Sequence, residues 1–152
     1  MASEVERAPP TSSENHVVWK TSEDAIEKVP FTGSCHCGAV QFSMLHEPLT
    51  KHHTYHIPVK SCNCSICARN GYLTIFVERH EIEWISGWEE MARYQFTPKH
   101  KEHRFCGTCG SSVCIDFLGN WAVGDVIGIN VRMLHGVDLD GLFIHKKNGA
   151  AI

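Results

Sequence analysis

Three short cysteine clusters constrain this chain more than any other feature of its sequence. Seven of the eight cysteines fall into them, at Cys35 and Cys37, at Cys62, Cys64 and Cys67, and at Cys106 and Cys109. Thiols one or two residues apart do not readily form a relaxed disulfide with each other, but a tight turn can aim them at one ion about 2.3 Å away. A lone buried thiol is common, whereas tight clusters predict a metal site.

The compartment that the sequence suggests agrees with metal binding. Cysteine makes up about 5% of the chain, below the roughly 8–10% of a small secreted disulfide scaffold. No apolar run reaches the ~18 residues of a membrane span, and the acidic N-terminus has no apolar stretch typical of a signal peptide. We therefore expect a cytoplasmic protein that does not bind membranes.

The coordination habits of zinc suggest how the clusters divide. Structural zinc takes four protein ligands in a tetrahedron, so the two clusters of two cysteines complete one closed site. That division gives Cys35, Cys37, Cys106 and Cys109 to a structural ion. It leaves Cys62, Cys64 and Cys67 on a second ion with an open position, which is the arrangement of a catalytic zinc. The chain is thus expected to hold two zinc ions.

Other divisions of the cysteines remain open at this point. Cys64 and Cys67 with Cys106 and Cys109 would make a ribbon of two CxxC pairs, although the other three clustered cysteines would then lack an obvious arrangement. Cys114 lies in an alternating run, where we expect it to pack as a small hydrophobe rather than to serve as a fourth ligand. The histidines before the second cluster are expected to be solvated, and they are His46, His52, His53 and His56.

The charge distribution argues against a nucleic-acid partner. Residues 1–30 contain six acidic and three basic side chains and the remainder contains eleven of each, which together give the net charge of −3. Nucleic-acid binders normally present a basic stripe to phosphates, and this chain has none. The nearest candidate, residues 99–104, includes Glu102 and is interpreted as a solvated strand or turn.

Short runs of alternating hydrophobicity predict a mainly β fold with few short helices. In the first run Val40, Phe42 and Met44 share one face, as expected of a half-buried strand. Further strands are predicted at 72–77, 81–85, 91–96, 112–117 and 126–133, and a loop at 47–60. Residues 31–152 are expected to form one domain. It follows a disordered acidic tail at 1–15 and an extension at 16–30, with a short helix predicted at 21–29.

Three segments resemble the motifs of a known family in their amino-acid sequence and in their order along the chain. GSCHCGAVQF, CNCSICARNG and RFCGTCGSSV are similar to the motifs of the glutathione-dependent formaldehyde-activating enzymes, also called the centromere protein V domain family. The matched stretch runs from Phe31 to Phe117. The resemblance implies an Mss4-like fold of small twisted antiparallel sheets stapled by zinc. It also implies the same division of the cysteines, with the three-cysteine cluster catalytic.

The activity that the resemblance implies joins formaldehyde to the thiol of glutathione. It is classed as a carbon–sulfur lyase reaction and serves formaldehyde detoxification, so the implied partners are a small thiol and an electrophile. A thiol that enters an open zinc position loses its proton and becomes a nucleophile. Glutathione also brings two carboxylates, and the candidate cationic contacts next to ligand cysteines are Lys60, Arg69 and Arg104.

The chain departs from the family pattern in the second cluster. Many relatives carry His between the first two cysteines and Arg-Lys after the third, where this sequence has Asn63 and then Ala68-Arg69. The alternative function is a non-catalytic, zinc-stapled interaction module. In that case a fourth protein ligand, Cys114 or a loop histidine, would close the second site. The sequence does not distinguish a monomer from a homo-oligomer.

Overall fold

The computed structural model describes residues 27–49, 59–96, 100–120 and 124–151. These residues form strands and short 3₁₀ turns with a single six-residue helix, so the predicted mainly β class is confirmed. The strands are β1 Val29–Ser34, β2 Gln41–His46, β3 Val59–Cys62, β4 Thr74–Glu78, β5 Ile82–Ser86, β6 Ala92–Tyr94, β7 Glu102–Phe105, β8 Ser112–Asp116, β9 Val126–Asn130 and β10 Ile144–Lys147. The helix is α1, Ser65–Asn70, and the 3₁₀ turns are Arg79–Glu81, Val131–Met133, Leu139–Gly141 and Gly149–Ala151.

The strands form two sheets. Three strands in the order β1-β2-β5 make the smaller sheet, and seven strands in the order β10-β3-β4-β9-β8-β7-β6 make the larger one. Neighbouring strands are antiparallel throughout, except that β10 runs parallel to β3 with Lys147 beside Cys62. The antiparallel expectation therefore fails only at this edge, where a strand from the end of the described chain joins the sheet.

One hydrophobic core joins the two sheets. The predicted alternation in β2 is confirmed, because Phe42 and Met44 are buried while Gln41 is exposed. These β2 side chains share a single core cluster with Ile75 of β4 and Ile129 of β9. Strand β9 is buried at all five positions, as expected for a central strand covered on both faces.

A second, smaller cluster lies on the opposite face of the larger sheet. It contains Tyr72, Phe76, Ile115, Phe117 and Val126, and Cys67 of α1 packs against it. Along β4 Phe76 of this cluster lies between Ile75 and Val77 of the main core, because successive side chains of a strand point to opposite faces. This aromatic cluster therefore places the sheet next to the three-cysteine motif.

The interpretation of residues 99–104 as a solvated segment is wrong for its last three residues. They lie in β7, a strand with neighbours on both sides, where His103 is 3% and Arg104 is 5% exposed. The Arg104 guanidinium lies 3.6 Å from the centre of the Trp88 ring, and its Nη1 donates to the Trp88 carbonyl oxygen at 3.0 Å. An aromatic face and a carbonyl can hold a buried guanidinium that looks solvent-facing in the sequence.

Other sequence expectations meet the structure only in part. The helix predicted at 21–29 lies mostly outside the described residues, and Val29 begins β1 instead. The predicted loop at 47–60 ends in strand, because Val59 begins β3. The tail at 1–15 is not among the described residues. None of the helices in the described ranges is long and apolar enough to cross a membrane.

Buried His103 predicts a sensitivity to acid. Burial and then the nearby Lys101 lower the pKa of His103 to about 4, whereas the unfolded chain has the ordinary value of about 6.5. The unfolded state therefore binds the proton more readily, and stability is lost as the pH falls from above 6.5 towards 4. His103→Gln should reduce by a few degrees the drop in melting temperature between about pH 7.5 and pH 5.

The measurement is circular dichroism melting at both pH values. His100→Gln is the matched control, because His100 is exposed and its replacement should leave the drop unchanged. Equal drops in wild type, His103→Gln and His100→Gln would show that burial of the imidazole does not contribute to acid sensitivity.

Candidate metal centres

The first cysteine cluster is built from two tight turns that face each other. Cys35 and Cys37 lie in the turn from β1 to β2, and Cys106 and Cys109 lie in the turn from β7 to β8. In the second turn the Gly110 amide donates to the Cys106 carbonyl oxygen at 2.8 Å, and Gly110 has φ +80°. A positive φ of this size favours glycine and lets the backbone wrap around the sulfurs.

The sulfurs of this cluster already have the spacing of a tetrahedral metal site. Cys37 Sγ lies 3.6 Å from both Cys35 Sγ and Cys106 Sγ, and all four ligand atoms lie within 4.8 Å of one another. A zinc ion with four sulfurs at about 2.3 Å requires edges of about 3.8 Å. The donor set and its spacing therefore fit a closed zinc site.

Backbone amides around the first cluster favour thiolates. The Val40 amide donates to Cys35 Sγ at 3.3 Å, and the Cys109 amide approaches Cys106 Sγ at 3.5 Å. Hydrogen bonds from the hydroxyl and then the amide of Ser111 help to lower the pKa of Cys109 to about 5. Donors aimed at sulfur stabilise the charged form that a metal binds.

The second cluster lies where a strand of the larger sheet passes into the helix. Cys62 ends β3, Cys64 immediately precedes α1, and Cys67 lies within α1. Their three sulfurs lie within 4.8 Å of one another. The far end of α1 is held in place, because the Ser112 hydroxyl donates to Asn70 Oδ1 at 2.7 Å. This tie fixes the helix on β8.

The ionisation of the three-cysteine cluster shows crowding of like charges. Burial opposes ionisation of Cys64, but the Cys67 amide, the sulfurs of Cys67 and Cys62, and Lys101 together lower its pKa. Burial and then Cys64 raise the pKa of Cys67. Such opposite shifts arise when neighbouring thiolates cannot all ionise together without a cation. The cluster is therefore suited to a positive ion.

The described residues provide no fourth protein ligand for this cluster. Its group contains only the three cysteines, separate from the four-cysteine group, so the CxxC ribbon is not formed. Cys114 is fully buried in the main core, as predicted, and belongs to neither group. The expectation that His46 is solvated is wrong, because His46 is buried at the end of β2 with its Nδ1 2.9 Å from the Glu47 carbonyl oxygen. His52, His53 and His56 lie outside the described residues.

Of the three cationic contacts predicted from the sequence, the structure brings one to the cluster. Lys60 lies in β3 beside Cys62, with Nζ 5.1 Å from the centre of the Phe76 ring, and burial followed by Lys147 lowers its pKa to about 8. Arg69 is exposed on α1 and donates to the Ser65 carbonyl oxygen at 3.2 Å. Arg104 donates to the Trp88 carbonyl oxygen, and its Nη2 lies 3.4 Å from Glu102 Oε2.

A cation that the sequence prediction missed lies on the same side as Lys60. Lys101 Nζ is 6.0 Å from the centre of the Phe117 ring, and its charge helps to lower the pKa of Cys64. The Phe76 and Phe117 rings are 5.7 Å apart, in the aromatic cluster against which Cys67 packs. We call Lys60, Lys101, Phe76 and Phe117 the lysine–phenylalanine platform. The sequence contained a signal for this placement of Lys101. The Cys106–Cys109 turn predicts a hairpin, which pairs the residues before the turn with those after it.

This fold and these sites define a mainly β protein with one four-cysteine and one three-cysteine cluster. The family model of the glutathione-dependent formaldehyde-activating enzymes matches residues 30–139, so the chain belongs to that family. The chain is also similar to a Rhodobacter sphaeroides protein of known crystal structure, with 28% identity and a TM-score of 0.57. That similarity covers 72% of this chain and 92% of the other.

The two clusters should respond differently to the loss of one thiol. Wild type is expected to contain about two zinc ions per chain. Cys109→Ser should leave the protein insoluble or unfolded at room temperature, because structural zinc contributes much of the folding free energy of a small domain. Cys64→Ser should lose about one zinc ion and stay folded, since the four-cysteine cluster remains.

Elemental analysis and circular dichroism melting measure both effects, and each variant serves as the control for the other. Wild-type melting of Cys109→Ser would contradict a structural role for the first cluster. Retention of two zinc ions by Cys64→Ser would contradict the second site.

Proposed function

We propose that this protein is a zinc-dependent carbon–sulfur lyase that forms or cleaves a bond between a small thiol and an electrophilic carbon. The thiol is of the glutathione type, and formaldehyde is the model electrophile. The observation that carries this proposal is a three-sulfur cluster without a fourth described ligand in a chain of the glutathione-dependent formaldehyde-activating family. Three protein ligands and an open position are typical of catalytic zinc.

The second cluster provides the ligands in this proposal. Cys62, Cys64 and Cys67 would hold the ion, and their facing sulfurs fit a soft cation. When bound there, zinc supplies positive charge that favours the thiolate form of an incoming thiol. Cys35, Cys37, Cys106 and Cys109 would hold the structural ion, because their four sulfurs complete a tetrahedron.

The lysine–phenylalanine platform would bind the rest of the thiol substrate. Glutathione carries two carboxylates, and Lys60 and Lys101 offer two ammonium groups beside the cluster. With its pKa at about 8, Lys60 stays mostly protonated at neutral pH. The two phenylalanine rings limit the water around these charges, which strengthens their attraction for a carboxylate. The chain therefore has a means to hold a dicarboxylate thiol with its sulfur near Cys64.

The alternative of a non-catalytic interaction module has no specific support from the described residues. It requires a fourth ligand on the second ion, and Cys114 is buried in the core instead. All eight cysteines are free thiols, which suits the reducing cytoplasm that we propose as the location. The enzyme proposal is therefore the one that we test.

The first test removes one ligand of the proposed catalytic site. Cys64→Ser should lose most of the rate of S-hydroxymethylglutathione formation above the spontaneous reaction, because a missing thiolate changes the charge and geometry of the ion. The rate is measured with formaldehyde and glutathione, and the uncatalysed background is subtracted. Cys114→Ala is the control outside both clusters. An undiminished excess rate in Cys64→Ser would rule out this cluster as the site.

The second test addresses the platform. Lys101→Met should raise KM for glutathione several-fold and leave KM for 2-mercaptoethanol, which has no carboxylate, unchanged. Lys146→Met is the matched control, because Lys146 is exposed on β10 and takes part in neither of the two lysine–ring contacts. Steady-state kinetics with both thiols separate the effects. An equal change in KM for both thiols would contradict a carboxylate contact.

A further inference from the structure

The last described segment of the chain lies directly against the three-cysteine cluster. Strand β10 pairs with β3 and brings Lys147 beside Cys62, and the turn Gly149–Ala151 follows at once. This segment lies beyond residues 30–139, the part of the chain that the family model matches. Its position next to the cluster is therefore a feature of this chain that the family match does not include.

Asn63, between two cysteines of the cluster, ties this segment down through three hydrogen bonds. Its amide N–H donates to the Lys147 carbonyl oxygen at 3.1 Å. Its Nδ2 donates to Asn148 Oδ1 at 2.8 Å, and its Oδ1 accepts from the Ala150 amide at 3.0 Å. The backbone and side chain of Asn63 thus fix three residues of the segment, Lys147, Asn148 and Ala150.

Gly149 brings the backbone of the segment against a cysteine sulfur. A Cβ atom at Gly149 would overlap Cys62 Sγ and would lie 3.3 Å from the Cβ of Cys64. Both contacts are too close for ordinary packing, so an added methyl group would require the Cys62 sulfur or the segment to move. The backbone at Gly149 thus closes the space between the segment and Cys62.

We propose that residues 147–151, here named the C-terminal clasp, form a wall of the three-cysteine site and restrict its thiol substrates to slender ones. Asn63 is the positioning residue that holds this wall. The clasp covers the side of the cluster at Cys62, and the aromatic cluster covers the side at Cys67. A thiol that enters between these walls fits best when its sulfur is attached to an unbranched methylene group, as in cysteine or glutathione. This substrate class rests on the proposed function, whereas the wall itself does not.

The wall can be tested without any enzymatic activity. Cysteine labelling of the protein as isolated is followed by peptide mass spectrometry, with iodoacetamide as the small reagent and N-phenylmaleimide as the bulky one. Asn63→Ala should raise the labelling rate of Cys62 by the bulky reagent several-fold relative to the small one. Asn120→Ala at an exposed turn is the matched control.

A second variant addresses the glycine contact through metal retention. Gly149→Ala should speed the loss of one of the two zinc ions to a chelator about tenfold, because the added methyl displaces the Cys62 sulfur or the clasp. Gly107→Ala is the matched control beside the other cluster, where an added Cβ meets nothing within 4 Å. Unchanged zinc release from Gly149→Ala would overturn the contact.

Substrate selectivity then tests the slender-thiol rule. Penicillamine is cysteine with two methyl groups on the carbon that carries sulfur, so charge is matched and only bulk differs. Asn63→Ala should raise the ratio of kcat/KM for penicillamine over cysteine several-fold. An unchanged ratio together with an unchanged labelling pattern would show that the clasp only covers a sheet edge, and the proposal would be wrong.

The two proposals fail in distinguishable ways. If wild type shows no rate above the spontaneous reaction, the enzyme proposal is wrong. If Asn63→Ala nevertheless speeds the labelling of Cys62 by the bulky reagent, the proposal of the wall stands. If Asn63→Ala does not fold, Asn148→Ala removes only the side-chain bond at 2.8 Å and leaves Asn63 intact. The same shift in Cys62 labelling is then expected from Asn148→Ala, and its absence would reject the proposal.

Discussion

The contact among four cysteine sulfurs is the constraint on which the rest of the structure depends. Cys35 and Cys37 belong to a turn of the smaller sheet, and Cys106 and Cys109 belong to a turn of the larger one. Four thiolates within 4.8 Å repel one another unless a cation lies among them. The cluster therefore ties the two sheets together at one end, while the shared core of Phe42 and Ile129 joins them elsewhere. A metal bound here would add to the stability of a domain built from short strands.

The same turn also positions the proposed active site. It fixes one end of the β7–β8 hairpin, and the pairing of Glu102 with Asp116 brings Lys101 and Phe117 together at the other end. This end faces the second cluster, because Cys67 packs against the aromatic cluster that contains Phe117. The four-cysteine cluster and the proposed catalytic cluster thus lie at opposite ends of the β7–β8 hairpin. Loss of the four-cysteine cluster should therefore displace Lys101 beside the three-cysteine cluster, even though Cys62, Cys64 and Cys67 are intact.

Local features of the fold were predictable from the sequence, and pairings over long distances were not. The alternation of Val40, Phe42 and Met44 and the tight turns at the cysteines depend on neighbours in the chain, and the grouping of two such turns followed from the four ligands that zinc requires. Lys101 was missed for a specific reason: the β7–β8 register shifts between Arg104 and Phe105. Without this bulge, a count outward from the cysteine turn would place Lys101 opposite Asp116, whereas the observed pairing of Glu102 with Asp116 places Lys101 beside Phe117. The parallel pairing of β10 with β3 joins segments more than 80 residues apart, and no periodicity in the sequence indicates such a partner.

Asn63 connects the departure from the family motif with the last described segment of the chain. Asparagine carries a donor and an acceptor on one carbon, so a single side chain reaches Asn148 Oδ1 and the Ala150 amide, which lie two residues apart. In this structure the position of residues 147–151 therefore depends on the asparagine at position 63. In the sequence Asn63 is only a departure from the motif, but in this structure it holds the segment that covers Cys62.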